Sequence, residues 1–319
     1  MLDLDDDWVW DFWIADDGVL FHAFFLAAPR SLGDPDLRHE NARIGHATSS
    51  DLVTWTHLPD MGGPGEEGSF DDLATWTGSV VRDPSGLWWQ FHTGITRARA
   101  FSLQRIGAHT SPDLQRWRAE PGLVTADPRF YDTLAGGHPE EHWRDPWLVQ
   151  DDAGLWHMYV TARAGDRAGG RPGAGVVGHA TSPDLRSWAV QPPLSEPTGR
   201  FDWLEVISVQ QVEGRWVAVF SCLSAEMPGA ARDSGGVWSV PVEGPGSPVD
   251  VARAVRLTSE DLYVGKVVAL RDGSHRFLAF ENRGPDGAFR GGIIDPLAVR
   301  WNADGTGLEL PDAPERWKP

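Results

Sequence analysis

Hydrophobic residues along the chain come in short runs, each opened by a glycine. "GVLFHAFFLA" (18–27), "GLWWQFHTG" (86–94), "GLWHMYVTA" (154–162), "GRWVAVFSC" (214–222) and "GSHRFLAFEN" (273–282) each continue as an aromatic and β-branched strand. Each follows another apolar run and a polar turn, "DDG", "DPSG", "DDAG", "VEG" or "RDG". Asp-Gly and Asp-Pro ahead of a hydrophobic run mark hairpins, because glycine reaches the positive φ such turns require. A third strand then leads into a further hairpin: "GHATSSDLVTW" (45–55), "GAHTSPDLQRW" (107–117) and "GHATSPDLRSW" (178–188). Looser copies begin at Gly236 ("GVWSVPV") and Gly291 ("GGIIDPLAVRW"). No long stretch carries a helical period. Five units at intervals of roughly 55–70 residues, about four strands each, predict an all-β five-bladed β-propeller. A β-sandwich competes with this, but sandwiches do not repeat their turn chemistry at such an interval. The units fill residues 1–319, so the chain reads as a single propeller domain with no C-terminal β-sandwich.

The Ser-x-Asp-Leu-x-x-Trp motif recurs unchanged and therefore reads as structural. Asp51, Asp113 and Asp184 are placed to hydrogen-bond their own turns, and Trp55, Trp117 and Trp188 to pack between neighbouring blades. His22, His92 and His157 recur on second strands and read as core or supporting residues. Chemistry has to be sought where the blades differ.

The inner strands precede each turn: "WVWDFWIADDG", "TWTGSVVRDPSG", "HWRDPWLVQDDAG", "WLEVISVQQVEG" and "DLYVGKVVALRDG". Counted back from the turn glycine, Asp11, Ser79, Asp145, Glu205 and Lys266 fall within two positions of one another. In a propeller these strands line the central channel, so three blades offer a carboxylate at its mouth. A carboxylate in apolar company loses several kcal/mol of hydration unless it is paired, and solvation does not explain three. Two carboxylates beside one sugar are the minimum apparatus for glycoside cleavage, one as acid and one as nucleophile or base. Arg144, next to Asp145, is always charged and forks onto carboxylates and hydroxyls. Trp143 and Trp147 on either side place this pair in a buried setting.

Composition narrows the partners. The chain carries 17 Trp against 3 Tyr, and indoles serve both cores and flat platforms for sugar rings. A formal charge of −18 repels nucleic acid and anionic membranes, so neither is an expected partner. No run is long enough to span a bilayer. The acidic start "MLDLDDDW" is unlike a secretory signal, and Cys222 is the single cysteine, both as in a cytoplasmic protein. His138 and His142 in "HPEEH" have i, i+4 spacing, but Pro139 and the preceding glycines make this a loop, not a zinc helix. No metal or cofactor is expected. "RAGDRAGGRPGAG" (163–175) matches no phosphate-binding pattern and reads as a surface loop.

Several motifs carry a family resemblance. "IGHATSSDLVTWTHLP" (44–59) resembles the Trp-Gly-His-Ala…Ser-x-Asp-Leu…Trp…Leu-Pro signature of glycoside hydrolase family 32. "WTGSVV" (76–81), "WRDPW" (143–147) and "DLYVG" (261–265) are similar to its Ser-Gly-Ser, Arg-Asp-Pro and Asp-Phe-Tyr segments. "VWDFW" is nearer the Val-Trp-Asp-Ser-Trp of family 68, the levansucrases. Leu26 stands where family 32 usually has glutamine, and "LEVIS" where it has Glu-Cys-Pro. The resemblance implies a retaining glycosidase acting on non-reducing terminal β-D-fructofuranosides of sucrose or short fructans. A sugar acceptor in place of water would make it a transfructosylase. It implies Asp11 as nucleophile, Asp145 as transition-state stabiliser and Glu205 as general acid/base, with Trp10, Trp76, Thr77, Arg144 and Tyr263 binding the sugar. The alternatives are an inverting arabinofuranosidase or xylosidase of the family 43 type and a sugar-binding propeller without catalysis.

Overall fold

The glycines of the five turns, Gly18, Gly86, Gly154, Gly214 and Gly273, have φ between 76° and 93°, so the hairpins form where the sequence places them. Each turn joins the first two strands of an antiparallel meander. In this computed structural model, which describes residues 1–165 and 171–319, the meanders are consecutive along the chain. The first takes Asp7–Asp16, Phe21–Pro29, Arg43–Ser49 and Thr56–Gly62; the second takes Ala74–Arg82, Trp88–Thr96, Ala100–Ser111 and Arg118–Val124. The third takes Trp143–Gln150, Trp156–Arg163, Gly175–Ser182 and Ala189–Gln191, the fourth Glu205–Val212, Arg215–Cys222, Gly236–Pro241 and Val255–Arg256. The glycine-rich stretch 163–175 lies in part outside the described residues, at 166–170.

The fifth sheet departs from the four-strand expectation, with Leu262–Ala269, His275–Glu281 and only Leu297–Ala298. Pro296, which has no N–H to give to a ladder, interrupts its third strand. Upstream of the proline, Ile293 bridges both Phe280 and Leu2. Leu2 and Ile293 exchange two backbone hydrogen bonds of 2.9 Å, so the start of the chain completes the last blade. The first strand of each sheet packs on that of the next, and the fifth on the first, which makes a closed ring of five blades. The four apolar clusters lie mainly between adjacent blades. A two-strand ribbon, Arg300–Trp301 with Leu308–Glu309, ties the chain's end to the fourth blade, where the Trp301 indole donates to the Val212 carbonyl (2.9 Å). Among the described residues, no helix is long and apolar enough to cross a membrane.

The recurrent motif behaves as expected. Asp51 Oδ1 accepts from the N–H groups of Val53 (2.9 Å) and Thr54 (2.8 Å), and Asp113 and Asp184 do the same in their blades. The buried leucine after each aspartate, Leu52, Leu114 or Leu185, takes φ of 62–63°. Trp117 packs edge-on against Phe24 of the previous blade, and Trp188 against Phe91.

Another element repeats beside it. In each of the first three blades an aspartate, a second-strand histidine and a third-strand histidine are in line: Asp17–His22–His46, Asp71–His92–His109 and Asp151–His157–His179. The His22–His46 and His157–His179 nitrogens are 2.9 and 3.0 Å apart. Burial, then the partner histidine, pushes His46, His109 and His179 down to about 4. Their folded values lie below the unfolded 6.5, so between those limits the unfolded chain binds more protons and stability falls as pH falls. The raised carboxylates of the chain act in the opposite sense over this window, so the test is a difference: His46→Gln should gain on the wild type in melting temperature as pH falls from 7 to 4.5. A difference between the two that stays constant across this window would contradict the assignment.

Candidate active site

All five inner strands break register at one level: at Trp10/Phe12, Thr75/Gly78, Glu205/Ser208 and Tyr263/Lys266, and in the third blade opposite Tyr159/Thr161. A bulge adds a residue and re-aims side chains off the pleat. Asp145, Val206 and Val264 take φ of 58°, 50° and 53° there, a region costly for any residue with a Cβ and most so for valine. Trp10 and Asp11, Trp76 and Thr77, Arg144 and Asp145, Glu205 and Val206, and Tyr263 thereby meet in one cavity of about 340 Å³. All eight residues expected at the site line it, and so does Leu26.

Two residues of the inner-strand alignment are displaced. Ser79 is buried opposite Phe91, and Trp76 and Thr77 hold the second blade's place in the cavity. Lys266 lies beyond its bulge, in a smaller cavity with Ile14, Asp16 and Trp147. Counting back from the turn glycine assumes an even pleat, and the bulges insert residues into it.

The carboxylates have distinct surroundings. Asp11 accepts from the Thr77 hydroxyl. Burial first, then the Asp145 charge, pushes it up to about 7, with the Thr77 bond pulling the other way. Asp145 accepts from the Thr161 hydroxyl (2.8 Å) and lies 3.4 Å from Arg144 Nε. Burial raises it, Arg144 counters, and Glu205 adds to the rise. Glu205 pairs with Arg144 Nη2 through one oxygen and accepts from the Tyr263 hydroxyl (2.6 Å) through the other. Burial works against the Arg144 charge, but Glu205 and Asp145 outweigh it and hold the guanidinium above its usual range.

Arg144 is the hub. Its Nη1 also donates to Gln104 Oε1 (3.3 Å) and meets His142 Nδ1 (3.1 Å). Burial and the Arg144 charge push His142 down to about 2, so its ring is neutral. Nδ1 then accepts from Arg144, and Nε2 carries the hydrogen toward Glu140, 3.0 Å away. The "HPEEH" loop thus borders the cavity; its other histidine, His138, turns to Asp132 (3.1 Å). Among the described residues no His, Cys, Asp and Glu cluster could hold a metal. The second-strand histidines are not among the lining residues.

Sequence reading missed several wall residues. Arg38 and His39 come from the 3₁₀ segment Pro35–Asn41, Glu226 from Ser224–Glu226, and Phe101 from the tip of the second blade. The Arg38 guanidinium lies 3.9 Å over the Phe289 ring, and its buried Nε has no hydrogen-bond partner. Burial, then Arg38 and Arg144, hold His39 down at about 3, and its ring stands edge-on to both Trp10 and Trp76. Burial and the Glu205 charge push Glu226 up to about 8. Most of these positions lie on links between a second and a third strand, outside the repeated motifs. Unequal lengths of those links were the available signal.

A propeller with acidic side chains gathered in one aromatic-walled cavity on its axis is built for carbohydrate chemistry. The "Glycosyl hydrolases family 32 N-terminal domain" model matches residues 14–224, well over half of the chain, and the chain belongs to that family. The match starts just past Asp11 and stops short of Tyr263. A Beta vulgaris fructan 6-exohydrolase is 26% identical over 193 residues, 58% of this chain and 28% of that protein. An Arabidopsis thaliana beta-fructofuranosidase, an insoluble isoenzyme, is 29% identical over 131 residues, 39% of this chain and 20% of that protein. These matches therefore span under a third of the relatives' own length. The inulosucrase of Halalkalicoccus jeotgali, solved bound to kestose, superposes with a TM-score of 0.72 at 21% identity, covering 96% of this chain and 87% of its own. That likeness is one of fold.

Proposed function

We propose that this chain is a retaining β-fructofuranosidase that removes non-reducing terminal fructosyl residues from sucrose or short fructans, and passes them to a sugar acceptor when one replaces water. The observation that carries this is the meeting of Asp11, Asp145 and Glu205, from three different blades, in one axial cavity. Family membership supports a fructofuranoside over the arabinofuranoside or xyloside of the alternative reading. In the first step Glu205 protonates the glycosidic oxygen as Asp11 attacks the anomeric carbon; in the second Glu205 deprotonates water, which displaces Asp11. Thr77 orients the nucleophile, and Tyr263 and Arg144 orient the acid/base. Glu226, held up at about 8, keeps a proton in this part of the cavity near neutrality. Asp145, with Arg144 favouring its charged form, offsets positive charge developing on the ring.

The test is turnover of sucrose, inulin- and levan-type oligomers and aryl arabinofuranosides, followed by proton NMR with methanol as competing acceptor. The expected products are fructose and methyl β-D-fructofuranoside. Binding of fructosides without turnover, an inverted methyl glycoside, or cleavage of the arabinosides alone would each overturn the reading.

The pH profile gives a second check. Asp11 attacks only as an anion and is held at about 7, so kcat/KM should rise with pH through that value. Thr77→Val removes a hydrogen bond to the charged form, and should move this limb upward by roughly one pH unit. A limb that stays in place would mean that another group sets it.

A further inference from the structure

Lys266 is 3% exposed and takes no part in the pairing around Arg144. Its ammonium donates to the Val206 carbonyl (3.1 Å) and stands 4.7 Å from the Trp147 ring centre. The residues around it, Ile14, Asp16 and Trp147, lie farther along the same inner strands that carry Asp11 and Asp145. Lys266 is therefore behind the catalytic cavity, on the opposite side of the bulges.

What it holds is one of the strained points of the site. Val206, directly after Glu205, is a β-branched residue at φ 50°. Such a conformation persists only where its surroundings over-determine it. Its N–H faces Thr161 Oγ1 (3.3 Å) and Asp145 Oδ2 (3.4 Å), and its carbonyl accepts a hydrogen bond from the Lys266 ammonium. Both polar groups of one residue are thus fixed, one by an acidic residue of the site and one by a buried cation.

We propose that Lys266 is a positioning residue for the carboxylates: it fixes the left-handed Val206 backbone, and through it Glu205, and supplies positive potential behind Asp11 and Asp145. The proposal rests on the fructosidase reading of the cavity. The charged groups facing the ammonium are Asp11 on the first inner strand and Asp145 on the third, with Asp16 in the adjoining cavity; the fourth strand gives the Val206 carbonyl. Burial drives Lys266 down to about 7, and Asp145 and Asp11 pull it back up. The attraction is mutual, so a cation here favours the anionic, attacking form of Asp11.

Lys266→Met keeps the volume and removes the charge and the hydrogen bond. We expect kcat on sucrose, or on whichever fructoside the wild type cleaves, to fall roughly 10- to 100-fold, the cost of slight misplacement of a catalytic group. KM should stay within about twofold and the acid limb of kcat/KM should move upward; a residue that merely filled space would move neither limb nor ratio. Lys266→Arg should recover part of kcat and return the limb toward wild type. Val206→Gly removes the conformational strain, so Lys266→Met should cost less kcat in that background than alone. Should Lys266→Met fail to fold by itself, Lys266→Arg and the Val206→Gly pair are compared instead. Wild-type kcat and pH profile in folded Lys266→Met, or equal losses in the two backgrounds, would overturn the proposal. Absence of fructoside turnover in the wild type would overturn the reading it rests on.

Discussion

Asp11→Asn is expected to lose at least about 10⁴-fold in kcat, as removal of a covalent nucleophile does in other two-step hydrolases, while melting higher than the wild type at pH 8. The two halves of this result have one cause. Asp11 is held at about 7, chiefly by burial, against 3.8 for a free aspartate. A group whose folded value is raised binds more protons in the folded chain, so between those two values stability falls as pH rises. At pH 8 the fold bears the full cost of a buried anion, and the amide does not. Asparagine is nearly isosteric, and its Oδ1 can still accept from the Thr77 hydroxyl. The melting temperature should therefore rise by a few degrees at pH 8, with the difference closing toward pH 4. Circular dichroism melts at the two pH values and initial rates on sucrose measure both halves. Near wild-type turnover in the folded variant would remove Asp11 from the mechanism. Equal melting temperatures at pH 8 would mean that Asp11 is not held at a cost to the fold. Instability stored in Asp11 fits the role proposed for it, since stability is commonly exchanged for function at reacting groups.

Why Asp11 could be singled out at all lies in the physics of the inner strands. Those strands are apolar because they are buried between blades, so a carboxylate there is conspicuous. The same holds for Asp145 and Glu205, and a ring of five equivalent strands brings the three together without further information. The blades were legible for a similar reason: a turn that needs positive φ writes a glycine, and a Ser-x-Asp-Leu turn writes three residues at fixed spacing. Bulges write no such signature. Asp145 and the two valines after Glu205 and Tyr263 carry φ above 50° or close to it without being glycine, so nothing in their identity marks the kink. That is why Ser79 and Lys266 were aligned with the carboxylates although the inserted residues move both out of the cavity. Arg38, His39 and Glu226 were illegible for a different reason. They sit in short 3₁₀ turns between strands, where neither periodicity nor repetition constrains the residue type. Leu297–Ala298 shows the limit of repetition itself: "GGIIDPLAVRW" has the spacing of a blade's third strand, but its proline cuts the ladder and the chain's own N-terminal residues fill the gap.

Arg144→Met is expected to cost the fold more than any other single change at the site. The guanidinium pairs with Glu205 and lies 3.4 Å from Asp145, while Gln104 and the neutral His142 take its remaining bonds. Trp203 covers it at 5.6 Å. Methionine keeps the bulk but leaves two acidic side chains in a buried cavity without their counter-charge. Breaking a buried pair in this way typically costs about 3–5 kcal/mol, which for a chain of this size is a drop of roughly 5–15 °C in melting temperature. The loss is electrostatic, so the gap to the wild type should narrow as pH falls and the stranded carboxylates take up protons. Activity should fall by a further criterion, at least about 10²–10³-fold in kcat/KM, because the fork that orients Glu205 and favours the charged form of Asp145 is gone. Arg144→Lys separates the two effects. A lysine restores a charge but not two parallel donors in one plane, so it should recover most of the melting temperature and little of the rate. Were Arg144→Met to melt within about 2 °C of the wild type at pH 7.5, Arg144 would not be the counter-charge on which this arrangement depends. The counter-charge would then have to come from Lys266 behind the cavity or from Arg38, whose buried Nε has no hydrogen-bond partner and which is, with Arg144, the arginine lining the cavity among the described residues.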